Sequence, residues 1–135
     1  FGLAVGARVA APQQPVFCFT GDGCFRLFSG SLGEAKRFGL VIFLLNNARL
    51  SIVSQGIPSI IPGLSNDHCH TEVVDIDYCA IAKAHGWDAL RLSTDLAELS
   101  ALLRRPLQMG DTSLLIEVNV DPEQILGQNP RANNL

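Results

Sequence analysis

The sequence predicts an α/β domain, a parallel β-sheet flanked by helices on both faces. Two observations carry this reading. Short apolar runs alternate with helix-spaced segments along the chain, the pattern that right-handed strand–helix–strand crossovers produce. The run "LVIFLLN" (40–46) is also apolar on both faces, as a strand inside a parallel sheet must be.

Residues 1–11 are rich in Ala, Val and Leu with two glycines, which suits a helix packed closely on a sheet. "APQQP" (11–15) breaks it, and "VFCFT" (16–20) is a short strand. After Gly21-Asp22-Gly23, residues 27–38 carry apolar positions at helical spacing. Lys36 and Arg37 suit the end of that helix, and Gly39 stops it. Strand 40–46 follows. Residues 48–72 read as a long irregular loop, punctuated by Gly56, Pro58, Pro62 and Gly63, with room for one short helical turn.

"DIDYCAIAKAHGW" (75–87) is a capped helix ending at Gly86, with Trp87 packing between it and the strand "DALRL" (88–92). "TDLAELSALLRR" (94–105) is an amphipathic helix with Thr94 or Asp95 as its cap. "SLLIEVNV" (113–120) is the last strand. Residues 1–122 form the domain and 123–135 a polar tail, without internal repeats.

At 135 residues, the chain is long enough for one real core. Its 47% apolar and 17% charged content is that of a strongly buried globular domain. A net charge of −3 gives no basic field for nucleic acid. No apolar stretch reaches the ~20 residues that span a bilayer, and Phe1 opens no secretory signal. A cytoplasmic location is expected. The four cysteines lack CxxC spacing, which favours thiols over a disulfide framework. "FGLAVGARVAA" begins without an N-cap, as a helix already in progress, so the chain reads as a piece of something longer.

Two polar signals fall at carboxyl ends of predicted strands, where such sheets bind ligands: Gly21-Asp22-Gly23 and Asn46-Asn47. The glycines let backbone approach a ligand, and the amides opening the next helix favour an anion such as diphosphate. Asp22 would repel that anion unless a cation lay between them. Magnesium, which takes oxygen ligands from protein, phosphate and water, resolves the conflict, with Asn47 offering a neutral oxygen. By itself, a Gly-Asp-Gly triplet is most often a turn.

GDG followed by 22 residues and NN resembles the cofactor motif of thiamine diphosphate-dependent decarboxylases and carboligases, whose spacing is usually slightly longer. The likeness extends to "GARVAAPQQPVFCFTGDGCF", to "NNARLSIVSQ", and to "DYCAIAKAHGWDALRLSTDLAELSALLRRPLQMGDTSLLIEVNVDP", which is similar to the ending of acetolactate-synthase-like members. It implies a partial diphosphate-binding (PP) domain. By position, Asp22, the Asn47 side chain and the Arg49 carbonyl would ligate magnesium. Gly21, Gly23 and Cys24 would approach the diphosphate through backbone, and Ile52 would lie near the cofactor rings. Ser51 departs from a common Gly, and Ser31 from a frequent Glu.

The resemblance further implies a 2-keto acid substrate and a homo-oligomer. It also implies a partner, a pyrimidine-binding domain or subunit, that supplies the catalytic glutamate. No catalytic residue is assigned to this chain, which alone would be inactive. Alternatives are a non-catalytic binding or assembly module, or the PP subunit of a split phosphonopyruvate- or sulfopyruvate-type decarboxylase. "DHCHTE" (67–72) holds competent metal ligands without a second cluster to complete a zinc site, and reads as a solvated loop.

Overall fold

The computed structural model describes residues 1–64, 69–104 and 112–124. Helix α1 (Gly2–Ala10) leads to strand β1 (Phe17–Gly21). A broken helical run follows: α2 (Asp22–Phe28), a 3-10 turn (Ser29–Ser31), α3 (Leu32–Ala35) and a second 3-10 turn (Lys36–Phe38). Strand β2 (Val41–Asn46) precedes α4 (Ser51–Ile60), α5 (Tyr78–Ala84), β3 (Asp88–Arg91), α6 (Leu99–Arg104) and β4 (Leu114–Asn119).

The four strands form one sheet in the order β1-β2-β4-β3, every pair parallel. The path steps outward from β1 to β3 and then back to β4. Because parallel crossovers are right-handed, that reversal moves the last connecting helix to the opposite face. The packing agrees. Phe25, Leu32, Tyr78 and Trp87 cover one face with Ile42, Leu44 and Leu115. Leu102 of α6 covers the other with Val41, Phe43 and Ile116.

As the apolar run predicts, residues 40–44 are buried on both faces. Cover on the α6 side stops short of the β1 edge. Phe19 stacks on Phe43 with 5.0 Å between ring centroids yet stays 69% exposed. A hollow of about 460 Å³ opens there, lined by Phe17, Phe19, Phe43, Leu96, Leu103 and Val118.

Four expectations change. The helix expected at 27–38 starts at Asp22, directly off the strand, and breaks into 3-10 turns at Ser29–Ser31 and Lys36–Phe38 before Gly39 ends it in the left-handed region (φ 60°). The loop expected over 48–72 contains a ten-residue helix, α4, which carries through Gly56 and Pro58 to an Ile61 N–H bond onto the Ile57 carbonyl.

The helix expected from 94 begins only at Leu99. Asp95 caps a turn instead, accepting from the Ala97 N–H and the Ser93 hydroxyl, while Leu96 is left-handed (φ 55°). Arg105 lies outside the described residues. Finally, α1 buries no residue. It does pack on the core, but only through half-buried Ala4 and Val5, with Phe1 stacked on Phe28 and Arg8 donating to the Phe38 carbonyl.

The α5 expectation stands: Asp77 caps it by accepting from the Ala80 N–H, and Gly86 follows with φ 78°. Trp87 is buried and donates through Nε1 to the Leu32 carbonyl at 2.7 Å, so it packs against α3. No helix among the described residues is long and apolar enough to cross a membrane.

Candidate functional site

Register brings the two polar signals together. Gly21 pairs with Leu45, so Asp22, opening α2, and Asn46, ending β2, are the next positions at the carboxyl ends of adjacent strands. Gly21 is the extended N-cap of α2 (φ −84°, ψ 161°), with open space where a side chain would stand. Asp22 is buried. Its Oδ1 accepts from the Gly23 N–H at 2.8 Å, whereas buried Oδ2 has no hydrogen-bond partner. A buried carboxylate oxygen without a donor is costly, and a cation at that oxygen would offset the cost.

The second turn is tightly specified. Asn47 Oδ1 accepts from the Arg49 N–H at 3.1 Å, and Nδ2 donates to Ser51 Oγ at 2.7 Å. The Arg49 carbonyl accepts from the Ser51 N–H at 2.9 Å and retains a second lone pair. Ala48 is left-handed (φ 51°), a conformation unfavourable for a residue with a Cβ. Residues 71–73 brace the turn. Thr71 accepts from the Leu50 N–H, the Val73 N–H donates to the Ala48 carbonyl, and Arg49 and Glu72 form an antiparallel bridge.

The two turns also touch. A Cβ built on Gly23 would lie 2.7 Å from Leu50 Cδ2, so only glycine fits without displacing Leu50. The first turn, with Gly21, Asp22 and Gly23, and the second, with Asn47 and Arg49, thus lie at neighbouring strand ends and meet through Gly23 and Leu50. Cys24 is exposed in the first turn of α2. Ile52, 72% exposed, lies one turn into the chain beyond Arg49, on α4. The Arg49 side chain turns away to pair with Glu123 beyond β4, and Gln55 donates to the Gln124 carbonyl.

Beneath the second turn lies a buried polar group that sequence reasoning passed over. Glu117, on β4, is fully buried. Its Oε1 accepts from Asn46 Nδ2 at 2.9 Å, and its Oε2 pairs with Arg91 Nε at 3.0 Å and accepts from Cys79 Sγ at 3.4 Å. Burial first, then Glu117, pushes the Cys79 thiol up to about 11. The ion pair with Glu117 raises Arg91 further above its already basic value. The signal was present: a glutamate inside the apolar run "SLLIEVNV" must be paired if that run is a buried strand.

Of the 67–72 loop, Asp67 and His68 lie outside the described residues, as does the tail beyond 124. Glu72 serves the bridge to Arg49, and His70 is left-handed (φ 46°). Among the described residues, no three His, Cys, Asp or Glu side chains gather to hold a metal.

Fold and site together define a parallel α/β domain whose two polar turns lie at the carboxyl ends of β1 and β2. The chain belongs to the thiamine pyrophosphate enzyme family, as its C-terminal TPP-binding domain, whose model matches residues 1–118. It is 28% identical over 127 residues to the acetolactate synthase large subunit of Haemophilus influenzae, covering 92% of this chain and 22% of that protein. Against the isozyme 2 large subunit of Escherichia coli, identity is 49% over 59 residues, covering 41% and 11%. Among solved structures it is similar to a Rhodococcus jostii thiamine diphosphate-dependent 4-hydroxybenzoylformate decarboxylase. There the TM-score is 0.73 and identity 26%, covering 87% of this chain and 22% of the other. The chain thus spans about a fifth of the length of such relatives.

Proposed function

We propose that this chain forms the diphosphate-and-magnesium half of a thiamine diphosphate site in an acetolactate-synthase-like carboligase or 2-keto acid decarboxylase. The observation that carries this reading is the buried, unpartnered Oδ2 of Asp22, set level with Asn46-Asn47 on the adjacent strand. The donor set is all oxygen, as magnesium requires: Asp22, Asn47 Oδ1 and the Arg49 carbonyl. Each of the last two has accepted one hydrogen bond and keeps a lone pair.

Gly21 leaves the backbone open to a diphosphate, Gly23 lets the backbone of α2 sit tight against Leu50, the first-turn amide at Cys24 supplies a donor, and Ile52 offers apolar surface to the cofactor rings. When bound, the cofactor supplies the carbanion-stabilising chemistry. This chain's residues bind and orient it. The catalytic glutamate comes from a pyrimidine-binding domain or subunit, in a cytoplasmic homo-oligomer acting on a 2-keto acid.

Isothermal titration calorimetry of the chain with thiamine diphosphate tests the reading. Magnesium-dependent binding that EDTA abolishes supports it. Absence of binding, or binding indifferent to magnesium, overturns it.

A further inference from the structure

We infer that Glu117 is a positioning residue that sets the shape of the Asn47–Arg49 turn through the side chain of Asn46. The inference rests on the reading of that turn as part of a metal-binding site. A carboxylate can only accept hydrogen bonds. Facing Glu117 Oε1, the buried amide of Asn46 must therefore present its NH2 group, and the 2.9 Å bond is of that kind. The amide is planar, so its oxygen points the other way, where Oδ1 accepts from the Ala48 N–H at 3.2 Å.

That bond holds one side of the left-handed Ala48, whose carbonyl is held on the other side by Val73. Ala48 in turn separates Asn47 from Arg49, the two oxygen donors assigned to the metal. Arg91, half exposed, pairs through Nε with Oε2 of fully buried Glu117 at 3.0 Å and compensates its charge. The sheet carries the relay: Asn46 pairs with Asn119 and Leu44 with Glu117, so the carboxylate sits one pleat below the turn on the adjacent central strand.

A glutamine at 117 carries both a donor and an acceptor, so it permits the Asn46 amide to flip. Glu117→Gln is therefore expected to speed hydrogen exchange at the Ala48 amide by about tenfold or more. It is also expected to weaken magnesium-dependent pyrophosphate binding by about tenfold to a hundredfold, with the melting transition kept. The double variant Asn46→Asp with Glu117→Gln reverses the polarity of the pair. The new carboxylate accepts from both the glutamine amide and the Ala48 N–H, so protection at Ala48 returns.

Unchanged Ala48 exchange in Glu117→Gln, or no recovery in the double variant, overturns the inference. Where the unmodified chain binds pyrophosphate, equal affinity in Glu117→Gln overturns it as well. Should Glu117→Gln fail to fold, the unmodified chain still decides. Slow exchange of the Asn46 side-chain amide protons supports the relay, and solvent-rate exchange contradicts it. The exchange measurements need no ligand, so an intact relay in a chain that binds no pyrophosphate counts against the metal-site reading alone.

Discussion

Asn47 and Ser51 are joined side chain to side chain, Nδ2 to Oγ, at 2.7 Å across the start of α4. The bond ties the strand-end turn to the helix that follows and, with the Arg49 N–H on Oδ1, fixes the orientation of the Asn47 amide. Ser51→Ala removes the acceptor, and an expected loss of about 0.5–1.5 kcal/mol in urea-unfolding free energy checks the bond. Magnesium-dependent binding of thiamine diphosphate should weaken at the same time, because the Asn47 amide is then held by the Arg49 N–H alone.

Gly23 and Leu50 are expected to couple. Gly23→Ala gains about 0.5–1 kcal/mol of helix propensity but drives its Cβ against Leu50 Cδ2. Leu50→Ala opens that space. A double-mutant cycle by urea unfolding should give a coupling of about 0.5–2 kcal/mol, with the alanine at 23 better tolerated beside the alanine at 50.

Trp87→Phe keeps the aromatic body but removes the buried Nε1 bond to the Leu32 carbonyl. Unfolding followed by far-UV circular dichroism should register a loss of about 1–3 kcal/mol.

The Cys79 thiol gives a pH dependence of known sign. Burial, then the Glu117 carboxylate, raises it from its ordinary value near 9 to about 11, so the folded state favours the neutral form. That preference stabilises the fold fully below about pH 9 and is lost as pH rises through about 11. Urea stability measured from pH 8 to 11 should therefore fall more steeply for the unmodified chain than for Cys79→Ala. At pH 8.5, alkylation should reach exposed Cys24 well before Cys79.

What the sequence made legible follows from where local chemistry and tertiary packing agree. "LVIFLLN" is apolar at every position until Asn46, and only the middle of a parallel sheet accommodates it. The polar residues that end such runs, Asp22 and Asn46-Asn47, had to fall at the sheet's carboxyl edge, and strand register then made them neighbours.

Helix α4 was hidden because Gly56 and Pro58 are local breakers. It forms where tertiary contacts outweigh propensity, with Ser54 buried and Gln55 bonded to Gln124. The start of α6 was misplaced because Asp95 spends its capping capacity on a turn. Glu117 was visible as an acid in an apolar run, but its partners Asn46, Cys79 and Arg91 come from three separate elements, which only the fold assembles.

The central claim is that the ends of β1 and β2 converge on one cation. Manganese, a paramagnetic substitute for magnesium, can be titrated with pyrophosphate into the isotopically labelled chain. Selective broadening of the amide signals of Gly21–Cys24 and Asn47–Arg49 together, abolished in Asp22→Ala, is the expected result. Broadening confined to one of the two turns, centred elsewhere, or unaffected by Asp22→Ala would contradict it.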